Sequence, residues 1–186
     1  ARLLAEKNGD TISTAANTKF ADIPAHAWYS GYVKYLSNNG ITYGKSKTVF
    51  APNDAITRAE FTTMAVRFFD VYGSGDAEIM EQFSGFNDVS SGYWAAEYIK
   101  YAALHGWING YGDGSFHAER EINRAEVVTI VNRLLGREAD EDYIADNLRK
   151  LNTFPDVSRK HWAYYAVMEA ANAHTAVLGE NESWSK

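Results

Sequence analysis

Apolar residues recur at helical spacing in five stretches of the chain. Phe61, Met64, Ala65 and Phe68 form one set, and Val127, Ile130, Val131 and Leu134 form a second. Trp28, Tyr32, Val33 and Leu36 make a third, followed by Trp94, Tyr98, Ile99 and Ala102, and by Trp162, Ala166, Val167 and Ala170. Steps of three and four residues put each set on one helix face. The pattern therefore predicts five amphipathic helices, each with one buried side. Two of them carry clear start signals. Thr57 is followed three residues later by Glu60, a capping box in which each side chain satisfies an orphaned backbone N–H. Asn123 and Glu126 repeat the arrangement, and asparagine is also a good cap. The stretch DEDYIADNLRKL at 140–151, acidic early and basic late, predicts a further helix in the linker. Gly40 and Gly106 predict helix stops. NGYGDGSFHAERE at 109–121 predicts a loop rich in turn formers.

These elements repeat. FADIPAHAW starts at Phe20, FNDVSSGYW at Phe86 and FPDVSRKHW at Phe154, with offsets of 66 and 68 residues. Asp22, Asp88 and Asp156 keep step, as do Trp28, Trp94 and Trp162. Gly40 matches Gly106, Phe50 matches Phe116, Arg58 matches Arg124 and Glu60 matches Glu126, all at 66. Self-similarity at a fixed period is the mark of a repeat architecture. Each unit reads as an F-x-D turn whose aspartate is expected to cap a helix, a first helix, a glycine-rich loop and a capped second helix. ARLLAEKNG at 1–9 is similar to VRFFDVYG at 66–73, so the chain is expected to open in the second helix of an earlier unit. Trp184 matches Phe116 at 68, so it closes in the first half of a last one. The expected organisation is a tail and linker at 1–19, repeats at 20–85 and 86–153 joined by acidic linkers, and a half-repeat at 154–186. The amino-terminal helix is expected to dock on the carboxy-terminal half and complete a third lobe.

Composition narrows the chemistry. The chain has 186 residues, 46% hydrophobic and 23% charged, which is a globular composition. Its net charge of −6 argues against a general nucleic-acid binder but leaves room for a small anion at a local basic pocket. With no cysteine there is no disulfide frame, zinc–thiolate site or cysteine nucleophile. No apolar run of membrane-spanning length and no signal peptide is present, so an export signal would lie outside this sequence.

Arg58 and Arg124 stand in the first turn of the two capped helices. The helix dipole is positive there, so a cation is disfavoured by about 0.3–1 kcal/mol. Either each arginine pairs with a neighbouring carboxylate, or an anion meets both the arginine and the free N–H groups.

F-x-D-V, then W-A at a helix start, then G-Y-G-D-G-S-F, then I-T-R-A-E together resemble the S-layer homology repeat of bacterial surface proteins, from Phe20 to Trp184. The resemblance implies a mainly α fold, with helix-loop-helix repeats in a pseudo-threefold arrangement around a central helical bundle. It implies an extracellular module that anchors proteins non-covalently to the cell wall. The expected ligand is a secondary cell-wall polysaccharide or modified peptidoglycan, often with a pyruvate ketal on N-acetylmannosamine, held in grooves between repeats. Arg58 and Arg124 match the arginine that meets the ligand anion. Trp28, Trp94 and Trp162 could stack on sugar faces or fill the core, and their helical register favours the core. Gly110, Tyr111, Gly112 and Asp113 match the family loop; they hydrogen-bond hydroxyls or only form a tight turn. The preceding unit departs from that loop, offering Lys45 and Lys47 to an anion or to solvent. The simplest role of Thr57, Glu60, Asn123 and Glu126 is capping. The last unit has no such arginine within this chain.

The rival readings are weaker. No G-x-S-x-G, H-E-x-x-H or P-loop is present, and the five histidines lack metal-ligand spacing, so no enzyme, cofactor or metal is expected. Asp113-Gly114-Ser115 lacks the alternating acids and closing glutamate of an EF-hand. A structural module that self-associates in a surface lattice is the alternative to a sugar anchor.

Overall fold

A computed structural model describes residues 1–72, 85–177 and 183–185. It is mainly helical: α1 (Arg2–Asn8), α2 (Ser30–Asn38), α3 (Arg58–Tyr72), α4 (Ala96–Leu104), α5 (Arg124–Leu134), α6 (Glu141–Asn147), a 3₁₀ turn (Leu148–Lys150) and α7 (Tyr164–Ala171). A short antiparallel hairpin, β1 (Thr175–Val177) with β2 (Ser183–Ser185), pairs Ala176 with Trp184 and ends the chain. The acidic stretch 74–84 lies outside the described residues.

The predicted stops and starts form for the predicted reasons. After α2 and α4 the chain turns through Gly40 (φ 73°) and Gly106 (φ 69°), in the left-handed region that suits glycine. Ile41 N then bonds to Leu36 O at 2.9 Å and Trp107 N to Ala102 O at 2.9 Å, the Schellman pattern, and both incoming side chains are buried. The boxes at α3 and α5 are complete: Glu60 N bonds to Thr57 Oγ1 and Thr57 N to Glu60 Oε2, and Asn123 and Glu126 do the same. Asp140 caps the linker helix α6 through the Tyr143 amide.

Each second helix packs on the first helix of the next unit: α3 on α4, and α5 on α7, while α3 also meets α5. The bonds from α1 follow the same rule. Arg2 donates to Tyr32 of α2 at 3.2 and 3.0 Å, as Arg67 of α3 donates to Tyr98 of α4 at 3.4 and 3.3 Å. These bonds tie α1 to the unit that follows it. The core is correspondingly divided. Its largest part joins Val66, Ala95, Ile99, Trp107, Phe116 and Ile130 across α3, α4 and α5. Smaller clusters gather round Phe20, Ile23 and Val33, and round Ile144, Tyr164, Met168 and Trp184.

The F-x-D aspartates do not cap a helix, contrary to the sequence-based expectation. Asp22 instead accepts the amides of Phe50 (2.9 Å) and Ala51 (2.6 Å), and Asp88 those of Phe116 and His117 (both 2.7 Å). Each carboxylate thus clamps a loop about 28 residues downstream, at a residue with positive φ, Ala51 (61°) or His117 (55°). Two converging amides supply the field that makes such a conformation affordable for a residue with a Cβ. In the last unit the equivalent amide, Trp184 N, goes to Asp140, and Asp156 is exposed. The Phe50 amide above all holds the Asp22 carboxyl below its usual range; for Asp88, burial pushes the other way but the Phe116 and His117 amides outweigh it; Asp140 is lowered first by the Tyr143 amide. A depressed folded pKa stabilises the fold fully above the unfolded value, about 3.9, and ceases to do so as pH falls through the folded value. The thermal midpoint by circular dichroism is therefore expected to fall below about pH 4. Asp88→Asn should lower the midpoint at neutral pH and make the acid limb shallower. An acid limb with unchanged slope would remove the Asp88 clamp from the account.

Candidate functional site

The units are joined at the starts of α3 and α5. Arg58 N donates to Arg120 O (2.9 Å), Ala59 N to Ala118 O (3.0 Å), and Ile122 N back to Ile56 O (3.0 Å), while Thr57 and Glu121 form a single antiparallel bridge. Helix termini leave four N–H groups without intrahelical partners. At α3 they are spent on this junction and on Thr57, so no free N–H remains there for an anion.

Arg58 is spent too. It is 5% exposed, although arginine is almost never fully buried unless paired. Its Nε donates to Phe116 O (2.9 Å), Nη1 to Glu126 Oε1 (2.9 Å) and Nη2 to Asn109 O (3.3 Å), all in the following unit. Its guanidinium also lies over the Phe116 and Tyr111 rings, 4.5 and 5.3 Å from their centroids. Of the two options open from the sequence, Arg58 takes the carboxylate, but one 68 residues away. Glu126 is a hub: one oxygen takes Arg58, Arg120 and the Tyr111 hydroxyl, and the other the Asn123 amide. Arg124 behaves differently. Its side chain is exposed, and neither it nor the amides of Arg124 and Ala125 has a hydrogen-bond partner among the described residues.

Beside this junction lies a groove of about 630 Å³. Arg58, Gly110, Tyr111, Arg120 and Glu126 form its floor and one wall, Thr129, Ile130 and Arg133 of α5 another, and Trp162 of the next unit closes it. A second groove, of about 320 Å³, repeats the plan one unit earlier, with Gly44, Lys45, Glu60, Thr63, Met64, Arg67 and Trp94. Ten positions correspond in register: 42 with 108, 43 with 109, 44 with 110, 45 with 111, 54 with 120, 60 with 126, 63 with 129, 64 with 130, 67 with 133, and 94 with 162.

The tryptophans correct the sequence-based preference for the core. Trp28 is 77%, Trp94 55% and Trp162 64% exposed. The reason is local: α2, α4 and α7 begin after them, at Ser30, Ala96 and Tyr164, so helical register does not apply. The alanines that follow two of them, Ala95 and Ala163, are the buried N-caps. An exposed indole on a groove edge offers an apolar face with a polar handle.

The loop residues divide. Gly110 belongs to the groove but is fixed by packing, since a Cβ there would lie 2.4 Å from the Phe86 ring and 2.6 Å from Ser115 O. Asp113 turns inward: Oδ1 accepts Ser115 N (3.0 Å) and Oγ (2.6 Å), and the Ser115 hydroxyl first of all lowers its pKa. That carboxylate and Gly112 form the turn and line neither groove. No group of side chains among the described residues could hold a metal ion. Lys45 is paired with Glu60; burial would raise the Glu60 pKa, but Lys45 and the Thr57 amide hold it down. Lys47 is exposed and lines neither groove. The structure thus brings together Arg58, Gly110, Tyr111, Glu126 and Trp162 in one groove, and Lys45, Glu60 and Trp94 in the other. Trp28, Lys47, Gly112, Asp113 and Arg124 line neither of them. Sequence reasoning missed Arg67, Arg133 and Arg120. The first two were legible as a register pair, 66 apart on the polar side of the second helix.

A family model for the S-layer homology domain matches residues 19–62 and 85–128. The chain is 31% identical over 181 residues to cell surface glycoprotein 1 of Acetivibrio thermocellus, covering 93% of this chain and 7% of that protein. It is 29% identical over 164 residues to the cellulosome-anchoring protein of the same organism, covering 87% and 34%. It is 33% identical over 121 residues to exoglucanase XynX of Acetivibrio thermocellus, covering 65% and 11%. The chain therefore spans about a third or less of these relatives. Each matched segment carries one F-x-D clamp, one loop joining its two helices and one R-A-E helix start, and with them this chain belongs to the S-layer homology family.

Proposed function

We propose that the chain is a non-enzymatic anchoring module that binds an anionic cell-wall polysaccharide in the grooves between its repeats. The observation that carries this reading is the pair of register-matched grooves, each with an arginine of the second helix opposite an exposed tryptophan. Cations meet a carboxylate and an indole face meets the apolar side of a sugar ring. A pyruvate ketal on N-acetylmannosamine is the carboxylated sugar that the family suggests. Grooves on one scaffold would act together on a repeating polymer, where effective concentration multiplies modest affinities.

An extracellular, cell-surface location goes with the family and with the cell-surface and anchoring relatives. The exoglucanase match covers a small part of that enzyme, as expected of a module carried beside varied cargo. No helix among the described residues is long and apolar enough to cross a membrane. The pseudo-threefold arrangement and the boundaries at 20–85, 86–153 and 154–186 belong to this proposal. So does Arg124, whose exposed cation and open amides keep the anion-site chemistry that Arg58 has lost.

The test is calorimetric titration with purified cell-wall glycan, before and after mild acid removal of ketals. Binding is expected before treatment and strongly reduced after it. Trp162→Ala should weaken binding about tenfold, or 1.4 kcal/mol, with the thermal midpoint unchanged. Binding indifferent to the ketal would move recognition to the sugar backbone. No binding, together with concentration-dependent assembly, would favour the surface-lattice reading, in which repeats contact protein.

A further inference from the structure

The two grooves share a plan but not a charge. In the α5 groove three guanidinium groups, Arg58, Arg120 and Arg133, face one carboxylate, Glu126. In the α3 groove Lys45 and Arg67 face Glu60 and Asp54, so the formal charges cancel. Lys45 is already paired with Glu60. The register pair Arg67 and Arg133 differs most. Arg67 lies 4.7 Å from the Tyr43 ring centroid and 5.0 Å from that of Tyr98, and it also donates to the Tyr98 hydroxyl. Two of its nitrogens and two aromatic rings thus hold it. Around Arg133 those tyrosines are replaced: Asn109 stands 66 residues after Tyr43, and Ala166 stands 68 after Tyr98. The Arg133 side chain is exposed and has no hydrogen bond, ion pair or ring contact among the described residues.

We infer that the grooves divide the polymer between them: the α5 groove takes the carboxylate-bearing sugar through Arg133, and the α3 groove takes an uncharged sugar. This rests on the anchoring reading above. Arg58 and Arg120 supply field to the α5 groove, but their donors are largely committed to Phe116 O, Asn109 O, Glu121 O and Glu126. Arg133 alone there has a free bidentate edge, the geometry that suits a carboxylate. In the α3 groove an incoming carboxylate would have to pull Arg67 from two aromatic faces or Lys45 from Glu60. A neutral sugar asks for neither and can still stack on Trp94.

The experiment is an NMR titration of the isotope-labelled chain, following the tryptophan indole N–H signals. The probes are the methyl glycoside of N-acetylmannosamine with a 4,6-pyruvate ketal, and the same glycoside without it. The ketal sugar is expected to shift Trp162 and the plain sugar to shift Trp94. Arg133→Ala should weaken the ketal sugar at least tenfold, Arg133→Lys less, and Arg67→Ala by less than twofold. Asn109→Tyr with Ala166→Tyr, which rebuilds the tyrosine pair around an intact Arg133, should also weaken it. Equal shifts of Trp94 and Trp162 by the ketal sugar, or equal losses in Arg67→Ala and Arg133→Ala, would overturn the division while leaving the anchor reading intact. If neither sugar binds, both readings fail.

Discussion

Arg58→Ala is expected to destabilise the fold by about 3 kcal/mol, while its repeat mate Arg124→Ala changes stability by no more than about 0.5 kcal/mol. Removing one partner of a buried ion pair strands the other charge. Here it also strips donors from the buried Phe116 carbonyl and the part-buried Asn109 carbonyl. Arg120 still reaches Glu126, which puts the loss at the lower end of the usual range. Urea denaturation of the two variants beside the parent chain measures the difference. Arg58→Ala combined with Glu126→Gln should recover part of the loss, because the stranded charge is then gone. Equal midpoints for the two single variants would show that the pair across the junction contributes nothing. The resemblance implies that both arginines meet the ligand anion, so that loss of either would weaken attachment. Only Arg124 retains that expectation, because only Arg124 is free of the next unit.

Gly110→Ala is expected to cost about 2–3 kcal/mol, the upper part of the range for overpacking. The added methyl meets the Phe86 ring, which could turn, and the Ser115 carbonyl, which is backbone and held in a turn by the Tyr111 amide at 2.8 Å. Gly44 makes the same approach to Phe20 and Val49 O and also has a left-handed φ of 77°, so Gly44→Ala should cost at least as much. Gly112→Ala has open space around it and a φ outside the left-handed region, and it should be nearly neutral. The readout is the denaturation midpoint of the three variants, with glycan affinity measured on those that fold. If Gly110→Ala were as stable as Gly112→Ala and lost binding instead, Gly110 would be a ligand contact and not a packing position.

The local order of this protein was written in the sequence. Helix faces, capping boxes at Thr57 and Asn123, stops at Gly40 and Gly106 and the capped linker helix all depend on residues within one or two turns. Short-range sterics and hydrogen bonds set such features, so their spacing suffices to find them. The register of the repeat was legible for the same reason, and with it the family. The sequence also paired Glu60 with Glu126 and Trp94 with Trp162, which are the matching walls of the two grooves.

The tertiary structure decided what each repeated residue does. Identical motifs met different neighbours, because the partners of one unit are supplied by the next. Arg58 is buried against Glu126 and Arg124 is exposed, although I-T-R-A-E and I-N-R-A-E read almost alike. Asp22 and Asp88 stand where a helix cap is expected, yet their carboxylates reach amides 28 and 29 residues away. The tryptophans left the core because the helices start two residues later than apolar spacing alone suggests. Arg67 is held by Tyr43 and Tyr98 while Arg133 is open, since two aromatic positions from separate segments became Asn109 and Ala166. Periodicity reports which face of an element is apolar; which groups meet across the junction of two units depends on their packing, and there the repeats differ.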